Sequence, residues 1–212
     1  MRSFPVIISG LLLGLFGVLG ATMVGLSHEV TAERIAHNER EALLTQLHLL
    51  VPAGQTDNDM LGDMIEVSAP AQLGAPLTRV YRARRAGEPV AAVLSPVVTQ
   101  GYNGPIKLIV AIRHDGTLAG VRVLSHHETP GLGDKIEAER SDWILGFDGK
   151  SLDAPAAGRW KVQRDGGVFD QFTGATITPR AVVRGVRSSL EYFADHREQL
   201  FAGGTPAEKH DE

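Results

Sequence analysis

Two short stretches of this chain combine hydroxyl or carboxyl side chains with nearly bare backbone. The first is Asp170-Gln171-Phe172-Thr173-Gly174-Ala175-Thr176. A threonine oxygen can carry a phosphoester, whereas a thiol or an amine gives a different linkage. Gly174 and Ala175 leave the backbone beside Thr176 nearly bare and open to close approach by another group. Thr178-Pro179 then predicts a helix start, with Thr178 as N-cap and Pro179 at the first helical position. The helix is expected to run to about Ala202, with Val182, Val186, Leu190 and Phe193 on one apolar face. A phosphate on Thr176 would sit just before that N-terminus, where free N–H groups and partial positive charge favour an anion by roughly 0.3–1 kcal/mol. Arg180 can add a charged contact there. Together with Arg184 and Arg187, however, it also forms the polar stripe opposite the apolar face, and a solvated stripe is the expected role. The second stretch is Glu128-Thr129-Pro130-Gly131-Leu132-Gly133-Asp134-Lys135-Ile136. Pro130 fixes φ while Gly131 and Gly133 permit positive values, so a tight loop with exposed N–H groups is expected.

Taken together and in this order, the two stretches resemble a known family. Asp-x-x-Thr-Gly-Ala-Thr looks like the recognition sequence of a flavin transferase, which joins the phosphate of FMN to the last threonine. Glu-Thr-Pro-Gly-Leu-Gly resembles the segment that accompanies that threonine in the G subunit of the Rnf ion-translocating electron transport complex. The C subunit of the sodium-pumping NADH:quinone reductase is a related member. Chain length and the Gly101–Lys107 segment favour the Rnf branch. The resemblance implies covalent FMN on Thr176. It also implies a flavin pocket shaped by Asp170, Thr173, Gly174 and Ala175, and by Glu128, Thr129, Gly131, Leu132, Gly133 and Lys135. Loop N–H groups there would face the pyrimidine edge of the flavin, whose electronics the protein tunes. The ring carries the electrons, and no residue is expected to act as a catalytic acid or base. Implied partners are the other subunits of a membrane electron transport complex, a second flavinylated integral-membrane subunit among them. A flavin transferase is implied for maturation.

The positioning elements follow from local pattern. Leu108–Ile112 and Leu118–Leu124 are apolar runs joined by His114-Asp115-Gly116-Thr117, a hairpin signature that delivers the chain into His126-His127-Glu128. Thr78–Arg84 and Val90–Val98 also predict strands. Asp134–Arg140 suggests a short helix, and residues 51–78 suggest loop. Trp143 and Phe147 are candidates for covering a flavin face, although small-domain aromatics more often belong to the core. The expected class is α+β: one transmembrane helix, then an extracytoplasmic FMN-binding domain with an antiparallel sheet and packed helices.

Pro5 to Leu26 bears no charge, and its only polar side chains are Ser9 and Thr22. As a helix it reaches about 33 Å, enough to cross a ~30 Å hydrocarbon core. A cleaved signal peptide is the competing reading, but the stretch exceeds a usual apolar region and no convincing Ala-x-Ala site follows. Gly10 and Gly14 give it a small-residue face on which another membrane helix can pack. The expected organisation is therefore a cytoplasmic N-terminus (1–4), a signal anchor (5–26), an amphipathic stalk (27–50), the domain (51–202) and a disordered tail (203–212). Charge flanking the span orients it weakly. The resemblance implies a bacterial inner membrane with the main domain in the periplasm.

Other classes find little support. A net charge of −4 over 212 residues gives no basic character for nucleic acid. Adjacent His126, His127 and Glu128 point to opposite faces of a strand end, and no cysteine accompanies them, so no metal site is expected. Neither a P-loop, a dinucleotide fingerprint nor a Gly-x-Ser-x-Gly elbow is present. The alternative of a different class is a membrane-anchored binding or scaffold domain without a redox cofactor, with Thr-Gly-Ala-Thr as a mere helix cap.

Overall fold

The computed structural model describes residues 4–202. The tail expected at 203–212 and the first residues of the expected cytoplasmic N-terminus lie outside them. The chain divides into two compact units, residues 1–45 and 46–212.

The first unit is helix. It forms most of α1, Phe4–Leu50, a continuous run of 47 residues. At 1.5 Å per residue α1 extends about 70 Å, more than twice a bilayer's hydrocarbon thickness. Its N-terminal half is apolar and exposed, with Leu11, Leu13, Phe16, Val18 and Met23 all open to the surroundings. It is long and apolar enough to cross a membrane. Thr22 and Thr31 return their hydroxyls to carbonyls one turn back, at 2.8 and 2.6 Å, so these polar groups do not interrupt the helix.

The second unit is an antiparallel sheet with one long helix. Its strands are β1 (Met64–Val67), β2 (Thr78–Arg85), β3 (Glu88–Leu94), β4 (Val97–Val98), β5 (Ile106–Arg113) and β6 (Leu118–Ser125). β1 to β3 pair in sequence, β3 and β4 both pair with one edge of β5, and β6 takes its other edge. The strand expected over Val90–Val98 is two, because Pro96 has no N–H to give the ladder. Its carbonyl still accepts from Leu108 N at 3.0 Å, so β4 resumes the same register on β5. Residues 51–78, expected to be loop, contain β1 and a short helix α2, Pro70–Leu73.

Helix α3, Ile177–Phe201, buries Val182, Val186, Leu190 and Phe193 as its spacing requires. These join Leu94, Leu108, Val110 and Ile112 of the sheet in one core. The alternate residues Ile109 and Ala111 are fully buried as well. Both faces of β5 are therefore covered, which accounts for its unbroken apolar run. On the second face, Leu50 lies so close over Gly120 that a Cβ there would come within 2.7 Å of its Cδ2. Between β6 and α3 the chain is irregular and includes several short 3-10 turns. The helix expected over Asp134–Arg140 is only the turn Gly133–Ile136, after which extended Glu137 turns the chain away.

Candidate functional site

β6 ends at Ser125 and leads straight into the Glu128 loop, so the hairpin sets that loop's position. His126 holds the junction. Its Nδ1 accepts from Glu128 N at 2.9 Å, and its Nε2 faces Glu137 Oε1 at 2.8 Å. The loop then turns on Thr129, whose carbonyl accepts from both Leu132 N and Gly133 N at 3.1 Å. Gly131 takes a φ of 79°, which its missing Cβ allows. Gly133 answers a different need. A Cβ there would stand 2.8 Å from Glu128 Cβ and 2.9 Å from its Oε2.

Glu128 is the buried centre of this arrangement, only 5% exposed. One carboxyl oxygen accepts from Thr178 Oγ1 and the other from Asn103 N at 3.1 Å. Asn103 Nδ2 also donates to Thr129 Oγ1 at 3.0 Å. Three distant segments, around residues 103, 128 and 178, are thereby tied to one carboxyl group.

Helix α3 starts earlier than the sequence predicts. Ile177 is its first residue and Thr176 stands at the N-cap position without a side-chain capping bond. Thr178, the expected cap, is buried inside the first turn with its hydroxyl committed to Glu128. Pro179 is accordingly third in the helix, where its missing N–H is still harmless. The preceding loop closes through Ala175 N to Phe172 O at 3.2 Å, with Gly174 at a φ of 83°.

The two loops face each other across a cleft of about 240 Å³. Glu128, Thr129, Leu132 and Gly133 line one side, and Gly174, Ala175 and Thr176 the other. Tyr102, Ile177 and Thr178 complete it, and the motifs do not point to them. Tyr102 belongs to the segment starting at Gly101, and the bareness of Gly101 is its one signal: a Cβ there would stand 2.2 Å from Gly104 O. Tyr102, Leu132 and Ile177 are 66%, 43% and 46% exposed, which gives the polar cleft an open apolar rim.

Gly131, Lys135, Asp170 and Thr173 lie outside the cleft lining. Thr173 and Asp170 are exposed. Asp170 Oδ1 accepts from Gln163 Nε2 at 2.5 Å and its carbonyl from Trp143 Nε1 at 2.8 Å. Phe147 is wholly core, stacked on Phe169 at 4.5 Å between ring centroids. Trp143 packs edge-on against Phe147 and Phe172, so it links the 170–175 loop to the aromatic core. Arg180 forms a two-pronged pair with Asp165, at 2.6 and 2.7 Å. That hydrogen bonding holds the Asp165 carboxyl below the ordinary aspartate range.

The cleft opens at a helix N-terminus, with Thr176, whose side chain makes no capping bond, on its wall. Comparison with known proteins shows the family. Residues 101–191 match the FMN-binding domain, and residues 1–50 match the RnfG N-terminal region. The G subunit of the ion-translocating oxidoreductase complex from Cereibacter sphaeroides (strain ATCC 17029) is 50% identical over 95% of this chain and 90% of its own. The corresponding proteins of Pseudomonas aeruginosa (strain UCBPP-PA14) and Pseudoalteromonas atlantica (strain T6c) are 48% and 46% identical, each over 92% of this chain and 91% of their own.

The chain belongs to this family of G subunits. Its matched FMN-binding domain holds the whole cleft, from Tyr102 to Thr178. The family's N-terminal region coincides with α1. The family is thus the one that the two motifs resemble, and the α+β class is the one expected from the sequence.

Proposed function

We propose that the chain is an electron-transfer subunit of a membrane-bound ion-translocating oxidoreductase complex, carrying FMN as a phosphoester on Thr176. The observation that carries this reading is the place of Thr176: on the cleft wall, uncapped, at the head of α3. A phosphodiester there meets the first N–H groups of the helix, which have no intrahelical partner. Leu132, Gly133 and Thr129 oppose it and would border the flavin, while Glu128 holds their loop in place. Asp170 and Thr173 are exposed and outside the lining, which suits reading by a flavin transferase better than contact with bound flavin. Gly131 and Lys135 would act through the shape of their loop.

FMN so held supplies one- and two-electron redox chemistry, and a covalent tether keeps it from being lost outside the cytoplasm. Implied partners are the transferase and neighbouring integral-membrane subunits, one also flavinylated. The apolar part of α1 would anchor the chain in a bacterial inner membrane with its N-terminus cytoplasmic and its domain periplasmic. A single span without a buried charge is unsuited to conducting the ion itself.

Intact mass of the full chain, co-expressed with a flavin transferase, tests the tether. The expected gain is one FMN less one water, located on the peptide with Thr176 and absent from Thr176→Val. An unmodified chain would favour an anchored binding domain without redox chemistry. Covalent flavin on Thr176→Val would refute the site.

A further inference from the structure

We infer that a basic groove beside helix α3 docks an acidic segment of a protein partner. The groove encloses about 350 Å³ between the 160–165 turns and α3. Its floor is apolar: Trp160, Val162 and Val183 are each at most 3% exposed. Its walls carry Lys161, Arg180, Arg184 and Arg187 against a single acid, Asp165. The chain as a whole is net negative, so this is a local inversion of charge.

The four cations are not equivalent. Arg180 is neutralised by Asp165, and Arg187 by Glu191 at 2.8 Å. Arg184 reaches only the neutral side-chain oxygen of Gln100. The Lys161 ammonium has no carboxylate within salt-bridge distance among the described residues. Two cations without a carboxylate in salt-bridge contact among the described residues therefore line the groove. An apolar centre with a charged rim, rich in arginine, is the anatomy of a protein interface. An acidic segment with two carboxylates spaced along the groove meets both cations.

The groove and the cleft share α3. Arg180 N donates to Thr176 O at 3.5 Å, so the groove begins one helical turn beyond the cleft wall. A partner seated there would lie beside Thr176. That it exchanges electrons at that point rests on the flavin reading above, whereas the docking itself does not.

The test is photo-crosslinking in membranes of cells making the full chain and its complex. p-Benzoylphenylalanine replaces Arg187, which lines the groove but brings no free charge, and adducts are sequenced by mass spectrometry. The expected adduct is a peptide with two or more Asp or Glu close together. Lys161→Glu with Arg184→Glu should lower its yield about tenfold, and so should raising the salt from about 0.05 to 0.5 M, because exposed charges are screened. Arg85→Glu on β2, outside the groove, should leave the yield unchanged. Adducts to lipid alone, adducts to a peptide without carboxylates, or a yield indifferent to both the double reversal and salt would each overturn the proposal. The intact mass of the same samples reads flavin separately. A salt-sensitive acidic adduct on an unflavinylated chain would remove the Thr176 reading and keep the groove.

Discussion

Thr178 Oγ1 donates to Glu128 Oε2 across fifty residues of sequence, and both side chains are at least 95% buried. This bond joins the first turn of α3 to the loop after β6, and so fixes the two walls of the cleft relative to each other. Asn103 N occupies the other carboxyl oxygen, leaving Glu128 little freedom to serve as a direct ligand. Its place in the Glu-Thr-Pro-Gly-Leu-Gly motif is better explained by positioning. The hydroxyl that a local reading assigns to capping the helix instead holds the site together.

Thr178→Val keeps the shape and removes the donor. It should cost about 1–3 kcal/mol, the penalty for a buried acceptor left without its partner. For a domain of this size that lowers Tm by roughly 2–4 °C per kcal/mol. Thr178→Ser restores the donor and should recover most of the loss. Thermal unfolding of the full chain in detergent measures both. A larger loss for serine than for valine would mean that methyl packing, not the hydrogen bond, decides.

Gly133 and Gly131 are two residues apart but should respond to alanine for different reasons. At Gly133 the new methyl would meet Glu128 Cβ at 2.8 Å, its Oε2 at 2.9 Å and Thr178 Oγ1 at 3.1 Å. Gly133→Ala must push the buried carboxyl and hydroxyl apart, and should both destabilise the chain and sharply reduce flavin attachment at Thr176. Gly131→Ala meets open space, and only its φ of 79° is unfavourable. It should cost about 1 kcal/mol of backbone strain and spare attachment. Unfolding and intact mass on both variants check the contrast, and parallel behaviour would sink it.

What is legible in the sequence and what is hidden divide along physical lines. The apolar face of α3 is a repeat of one helix against one core, and a 3.6-residue period reveals it. The β5–β6 hairpin is legible because its Asp-Gly turn and both flanking runs are local. β1 escapes because Met64-Ile65-Glu66-Val67 is short and only half buried, giving no alternation to read. The cut between β3 and β4 turns on the missing N–H of Pro96, a signal that sits inside the expected strand. The start of α3 is misplaced because a Thr-Pro pair looks like a cap unless Glu128 is known to be beside it. Motif resemblance identifies most of the cleft wall, but Tyr102, Ile177 and Thr178 enter only through tertiary proximity.

Trp143 offers a test of the loop that bears Thr176. Its indole N–H donates to Asp170 O at 2.8 Å, and its ring packs on Phe172. Trp143→Phe preserves most of the packing and deletes the donor, which should cost about 1 kcal/mol. The larger effect should be kinetic. On the reading proposed above a transferase has to find residues 170–176 in one conformation, so a loosened loop should slow flavin attachment several-fold at little cost in Tm. A time course of the mass shift during co-expression measures it. An unchanged rate would mean that Phe172 alone holds the loop.

The hairpin turn that launches β6 has its own pH signature. Asp115 Oδ1 accepts from Thr117 Oγ1 at 2.7 Å and from Thr117 N at 2.9 Å, and these bonds hold its carboxyl below the ordinary 3.8. A folded value below the unfolded one means that the unfolded chain takes up the proton first as pH falls. The turn therefore contributes its full stability above pH 3.8, and the contribution drains away as pH drops through the lowered folded value. Asp115→Ala should be less stable than the parent at about pH 7, with the gap narrowing as the pH falls below 3.8. Urea unfolding midpoints of both proteins at about pH 7, 4 and 3 test this. A gap that stays constant or widens on acidification would show that the carboxylate form of Asp115 does not brace the turn.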